Sequence, residues 1–532
     1  MISQNVGAWK ERIALPVLIL AAALTLFTVG CSSFGPIPQT GCYKREGLDP
    51  KIETVIDEFR VSAPATMKKG KVPGCAIALV DEQGILWTEG FGYTDRKRNI
   101  PVTPDTSFLI CSMSKTFTAT AVMLAVQDGL LDLDKPITTY LPDFKVYSRY
   151  EEHPEQKITL RGLLSHTAGL PHEAVGCNML EPTGSFEDRV RSLYGSWLKY
   201  PVGQAYSYSG AGMDLAAYVL QVVSGIAFEQ YMKERIFVPL SMPNSTVDMN
   251  EILGKSDRAI GHTVGIAKNP SAHCLLGAGG VWTSAADLAR FVRLHINKGT
   301  LEGERLIADS LIDAMLAPRA LIDDSEDEQY YGLGIIIGRS PKHGVVVQHS
   351  GGGGGFCSFM LWYPEYGIGA ISLTNKMPFP ASVGLPLALT GRLIKEGAVD
   401  KRFCVPALEC GKCVSKWGEW SEHKPSPYKP EWEKYCRKYD LTFSGYKLEW
   451  WAKIALVLDL DKYTPRIEVY EKDGYLCSTE SGFFEIFGPM WNRQVSQRLQ
   501  EVRPGLFFTA SGAALDLRGE APTWRNYRLK KR

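Results

Sequence analysis

The sequence carries almost no net charge: 59 Lys and Arg against 58 Asp and Glu leave 532 residues at +1. So even a balance implies no nucleic acid or other polyanion as a partner. The chain also lacks a Gly-x-Ser-x-Gly elbow, which disfavours an α/β-hydrolase. His172-Glu173 does not open a zinc-protease helix, because position 176 is glycine where the second histidine belongs. The glycine run Gly277-Ala278-Gly279-Gly280 is not followed by the Gly-Lys-Ser/Thr of a phosphate cradle and reads as a tight loop. Nothing in these patterns implies a metal or a cofactor.

What is present centres on Ser112-Met113-Ser114-Lys115. Residues 112–127 read as a buried helix stopped by Gly129, with Met113, Phe117, Ala121 and Leu124 on the helical period. A spacing of three puts the Ser112 hydroxyl and the Lys115 amine on one face. A serine hydroxyl needs an adjacent base, and a lysine stripped of water can become one. A helix N-terminus also leaves backbone NH groups free for an oxyanion. Ser-x-x-Lys by itself recurs by chance, so its surroundings carry the weight. Lys115 is the single charge on the stretch before Asp128, and a solvated helix would carry more.

The length calls for two or three domains. Lys10 and Arg12, an apolar run over residues 13–30 and then Cys31-Ser32-Ser33 have the layout of a secretory signal. Thr28-Val29-Gly30-Cys31 resembles a lipoprotein cleavage site with Thr28 in place of the usual leucine; the alternative is an uncleaved signal anchor. Either way the expectation is an exported protein with a membrane tether at its N-terminus, through Cys31 or the anchor. Residues 34–50 read as a Pro- and Gly-bearing linker, and residues 49–60 have helical spacing. From Val72 the period becomes that of a hairpin, Cys75 to Val80 and Ile85 to Phe91 around a turn at residues 81–84.

Val72-Pro73-Gly74, Gly90-Phe91-Gly92, the segment from Pro104 to Phe108, the Ser112/Lys115 helix, the segment from Gly129 to Asp134, Tyr140-Leu141-Pro142 and the segment from Leu163 to Pro171 form an ordered series. Together they resemble the serine beta-lactamase-related family, which contains class C beta-lactamases, D-alanyl-D-alanine carboxypeptidases, D-aminopeptidases and esterases. The resemblance covers residues 50 to 400. It implies an α/β catalytic domain at residues 51–400, an antiparallel sheet flanked by helices with a mostly helical insert. It also implies a serine hydrolase acting through an acyl-enzyme on a small-molecule or peptide substrate, with an esterase or a catalytically weakened envelope binding protein as alternatives.

The family's second motif, Tyr-x-Asn, falls at Tyr208-Ser209-Gly210, so the resemblance makes Tyr208 a proton-transfer partner of Lys115. Its phenol, with an ordinary pKa of ~10, would need a nearby ammonium to bring it down. Gly210 replaces the usual asparagine and removes an amide that in the family contacts lysine and substrate. The third motif is His349-Ser350-Gly351, and the NH of Gly352 would complete the oxyanion hole with that of Ser112. His349 stands where relatives often have a charged lysine. With an ordinary pKa of ~6.5 it is expected to read a substrate carboxylate only in acid. His166 reads as hydrogen-bonded scaffolding.

Beyond residue 400 the composition shifts. Cys404, Cys410, Cys413 and Cys436 mark a linker over residues 401–438, where disulfides are expected ahead of zinc in an exported protein. Residues 439–532 carry short strand-like runs and read as a small β domain, lipocalin-like by analogy with relatives of the family. The oligomeric state is not legible.

Overall fold

A computed structural model describes residues 37–531 except 96, 98, 178–183, 263–273, 324–327, 341, 404–412, 415–423, 442–465, 482–496, 510–513, 519–521 and 525–526. The signal or anchor segment, Cys404, Cys410 and the strand-like runs at 447–451 and 483–487 therefore lie outside the described residues.

The main sheet is built from β1 (Gln39–Lys44), β2 (Gly74–Asp81), β3 (Ile85–Asp95), β4 (Ala320–Asp323), β5 (Gln329–Tyr331), β6 (Ile336–Ser340), β7 (Gly344–Gly353), β8 (Phe356–Tyr363) and β9 (Ile368–Thr374). Its order is β1-β3-β2-β9-β8-β7-β6-β5-β4, and the short strand Ile100–Pro101 pairs with β3 off that path. Every named ladder is antiparallel. The expected hairpin is β2 and β3. Strand β2 finds its other neighbour in β9, with Ala78 opposite Ile371, so the chain between β3 and β4 forms an insert in which helices predominate.

Helices cover both faces of the sheet. In β9, Ser372 donates a hydrogen bond to the carbonyl of Ser382 on α5 (Ala381–Lys395). On that same side Trp87 of β3 packs edge-on against Phe59 of α1 (Pro50–Gly70), whose first turn is capped by Asp49. Side chains alternate along a strand, so the other face of the sheet meets α4 (Ala285–Ile296), where His295 lies against Trp362 of β8. Ser284 caps α4 by accepting from the Asp287 NH at 3.1 Å.

Two sequence readings change. Residues 34–50, read as a linker, contribute the edge strand β1; its mostly exposed side chains leave no alternation to detect. The helix expected over residues 49–60 continues to Gly70 through Pro64.

The expected C-terminal β region forms a second sheet from β10 (Arg437–Leu441), β11 (Arg466–Lys472), β12 (Tyr475–Ser481), β13 (Gln497–Arg498), β14 (Gln500–Arg503), β15 (Leu506–Phe508), β16 (Ala514–Asp516), β17 (Thr523–Trp524) and β18 (Tyr527–Lys531). Sequence neighbours pair from β10 to β13 and again from β14 to β18, and β10 pairs with β18. β13 binds β12 and β14 binds β15, with only Leu499 between them, so the ladders close into a ring. Ile467, Val469, Leu476, Leu499, Phe507 and Leu515 fill it together with Trp432 from the short helix Pro430–Tyr435. This ring touches the insert through Phe508, which meets Trp197 edge-on at 6.0 Å and lies under the Arg149 guanidinium at 4.3 Å. Cys413 is disulfide-bonded, whereas Cys436 is a free thiol.

Candidate active site

Ser112 sits in a single 3₁₀ turn, Cys111–Met113, that leads into α2 (Ser114–Gln127). Residues three apart eclipse in such a turn, and the Lys115 Nζ lies 3.2 Å from the Ser112 Oγ. Cys111 before it takes a φ of +49°, a left-handed backbone rare for a residue with a side chain. All side chains of α2 from Ser114 to Ala125 are buried. Its hydroxyls are satisfied internally: Thr116 donates to Gly334 O at 2.8 Å and Thr118 to Gly277 O at 2.7 Å. Phe117 stacks on Phe291 of α4 at 3.7 Å. The Lys115 amine also donates to the carbonyl of Ala278 at 2.7 Å.

Tyr208 stands with its ring centroid 4.8 Å from the Lys115 Nζ. Next in the chain, Ser209 caps α3 (Gly210–Ser224): its Oγ accepts from Gly212 NH at 2.9 Å and donates to Pro171 O at 2.6 Å. The Ser209 NH donates to His166 Nδ1 at 3.2 Å, so His166 does serve as scaffolding. A Cβ on Gly210 would meet nothing closer than 3.4 Å, so space does not forbid a side chain there.

The strand β7 runs beside the nucleophile. A Cβ on Gly351 would come within 1.9 Å of the Ile110 carbonyl, so only glycine permits this approach. Ser358, opposite Gly351, donates to the same carbonyl at 2.8 Å. Gly352 lines a cavity of about 70 Å³ together with Ser112, Lys115, Tyr208, Gly210, His172, Glu173, Leu109 and Leu275. Among the described residues, Lys115 and His172 are the basic side chains on its wall. Among those residues no group of three or more His, Cys, Asp and Glu is placed to hold a metal ion.

His349 departs from expectation. Its side chain is not on the cavity wall but buried, 2 % exposed, with Nε2 3.0 Å from the Tyr331 hydroxyl and Nδ1 donating to the Ser350 carbonyl at 2.7 Å. Burial, with the Lys115 charge adding to it, lowers its pKa to about 3. The ring therefore stays uncharged across the range in which it was expected to titrate.

Buried histidines make an acid-stability prediction. Burial also lowers His295 to about 4 and His166 well below its ordinary value. An unfolded chain, with histidine pKa near ~6.5, binds these protons first as pH falls, so stability drops below that pH at about 1.4 kcal/mol per pH unit per site. For His295 the loss ends near its folded value of about 4. Thermal midpoints should fall from neutral pH to pH ~5, and less steeply in His295→Gln. Equal slopes for the two proteins would count against this account.

Behind the cavity lies a buried ion cluster. The Arg189 guanidinium, fully buried, holds Glu173 at 2.9 Å and Asp214 at 2.6 Å. Asp214 accepts from the Ala278 NH at 2.8 Å, fixing the residue whose carbonyl receives Lys115. Burial alone would raise Glu173, but Arg189 and the His172 imidazole, 3.3 Å away, bring it down to about 2. A disulfide, Cys177–Cys274, ties the loop carrying His172 to the segment that leads into the short helix Leu276–Gly279, which carries Ala278. Sequence reasoning missed the cluster, the disulfide and Tyr331; the only local signal was an acidic residue next to His172.

A family model described as Beta-lactamase matches residues 61–389. The chain belongs to the beta-lactamase family. That family is of the serine hydrolase and acyl-transfer type, and its match spans both halves of the main sheet and the insert between them. Protein flp of Staphylococcus aureus (strain MW2) is 26 % identical over 341 residues, 61 % of this chain and 62 % of its own length. The chain thus spans less than two thirds of that curated relative. The putative penicillin-binding protein PbpX of Bacillus subtilis (strain 168) is 28 % identical over 304 residues, 56 % of this chain and 70 % of its own. The octameric penicillin-binding protein homologue from Pyrococcus abyssi has a similar fold, with a TM-score of 0.57 at 21 % identity over 89 % of this chain and 99 % of that one. The similarity of fold to that structure therefore covers more of the chain than the family match does.

Proposed function

We propose that this chain is a serine hydrolase working through an acyl-enzyme, and that its substrates are uncharged esters or amides. The carrying observation is the Lys115 amine, buried and set 3.2 Å from the Ser112 hydroxyl. In this reading Lys115, relayed by Tyr208, takes the Ser112 proton as Oγ attacks the carbonyl. The NH groups of Ser112 and Gly352 hold the oxyanion, the leaving group departs with a proton from the relay, and water frees the acyl group. The Cys177–Cys274 disulfide supports an oxidising compartment, in keeping with export and a tether in residues 1–33.

The substrate class follows from the side chain at the third motif. A free carboxylate on the leaving side would need a permanent cation, and His349 stays neutral beneath Tyr331. Gly210, by itself, favours a weakened binding protein, but the close Ser112–Lys115 pair favours catalysis.

A matched pair of chromogenic esters, one neutral and one bearing a carboxylate, tests this reading. The kcat/KM ratio should favour the neutral ester and stay flat from about pH 5 to 8, a span that brackets an ordinary histidine pKa. A ratio that swings toward the carboxylate in acid would mean that a titrating cation reads it.

A further inference from the structure

We propose that His172, oriented by Glu173, is a second proton-transfer residue of this site and the base that activates water for release of the acyl group. This rests on the acyl-enzyme reading. His172 lines the same small cavity as Ser112, Lys115 and Tyr208, and its ring lies 5.7 Å from that of Tyr208 at a tilt of 30°. Its side chain is 30 % exposed, so it meets both cavity and solvent. Its backbone is fixed too, because the Ala211 NH at the start of α3 donates to the His172 carbonyl at 3.1 Å.

The imidazole has a carboxylate behind it. Nδ1 faces Glu173 Oε1 at 3.3 Å, and that carboxyl, 1 % exposed, is anchored through Arg189 to Asp214. Asp214 in turn holds Ala278, the seat of Lys115. One buried frame therefore orients the imidazole and the lysine together. At that distance the carboxylate stabilises the imidazolium, and Nε2, the other ring nitrogen, is the proton acceptor.

The chemistry has a vacancy for such a base. Lys115 is held by the Ala278 carbonyl beside Oγ, and Gly210 carries no side-chain amide to position a water. In the step assigned to His172, the water oxygen bonds to the acyl carbon while its proton passes to Nε2. The carbon–Oγ bond then breaks, and the imidazolium returns that proton to Ser112 Oγ. Acyl-serine plus water becomes free acid plus serine, with no other reactant required.

The test uses p-nitrophenyl acetate in a rapid-mixing instrument with the full chain, His172→Ala and His172→Asn, each checked for an unchanged thermal midpoint. Both variants should keep the burst of nitrophenol and accumulate acetylated Ser112 by mass, while steady turnover falls about 100-fold or more. Added imidazole should restore turnover in His172→Ala, which loss of a merely structural side chain would not allow. Turnover equal to the parent, or a burst that slows in step with turnover, would overturn the proposal while leaving the acyl-enzyme intact. A parent protein without a burst and without a fluorophosphonate label on Ser112 would defeat both.

Discussion

Ser112→Ala is expected to lose all ester turnover and all labelling by a fluorophosphonate, because the probe needs the Ser112 hydroxyl on the cavity wall, beside the buried Lys115 amine 3.2 Å away. Lys115→Met should slow acylation by about 100-fold to 10,000-fold, the usual worth of a positioned base. Methionine preserves the length of a side chain that is 2 % exposed, so the fold should survive to be measured. The Ala278 carbonyl would lose its donor, at about 1–3 kcal/mol of stability. Rate and stability therefore separate: labelling rate constants report the base, and urea midpoints report the lost hydrogen bond. Labelling that persists at another serine in Ser112→Ala would remove Ser112 as nucleophile.

Arg189→Leu should have the largest effect on stability. It leaves Glu173 and Asp214 as two buried carboxylates whose shared cation is gone. Breaking a buried pair by removing one partner costs about 3–5 kcal/mol. The pH dependence gives the signature. In the variant, burial and mutual repulsion raise both folded carboxyl pKa values above their unfolded ones, so the folded state binds more protons and its stability grows as pH falls. The parent Glu173, lowered to about 2, behaves in the opposite sense, losing stability as pH falls toward that value. Denaturation midpoints of variant and parent should therefore converge in acid. A constant gap from neutral pH to pH ~4, near the ordinary carboxyl pKa, would mean that the cluster is not held by charge.

Much of this architecture was legible where physics is local. The Ser112/Lys115 pair and the hairpin of β2 and β3 each reside in a few consecutive residues. What escaped was set by distance along the chain. Arg189 finds Asp214 only because α3 brings it there, and Cys177 finds Cys274 across 97 residues. His349 was identified by its motif and misjudged in its charge. Its neutrality comes from burial and the Lys115 charge, and the neighbours that bury it, Tyr331 on another strand among them, are connected to it by no spacing.

The pairing of β2 with β9 also governs the order in which the chain can be assembled. Ala78 is synthesised long before Ile371, its neighbour in the finished sheet. Until then the apolar hairpin of β2 and β3 presents an unsatisfied edge, the kind of surface on which nascent chains stick to one another. Closing so long a loop is slow, and the ladder cannot form before β9 has left the ribosome. The hairpin is therefore the segment that a holding chaperone should find first.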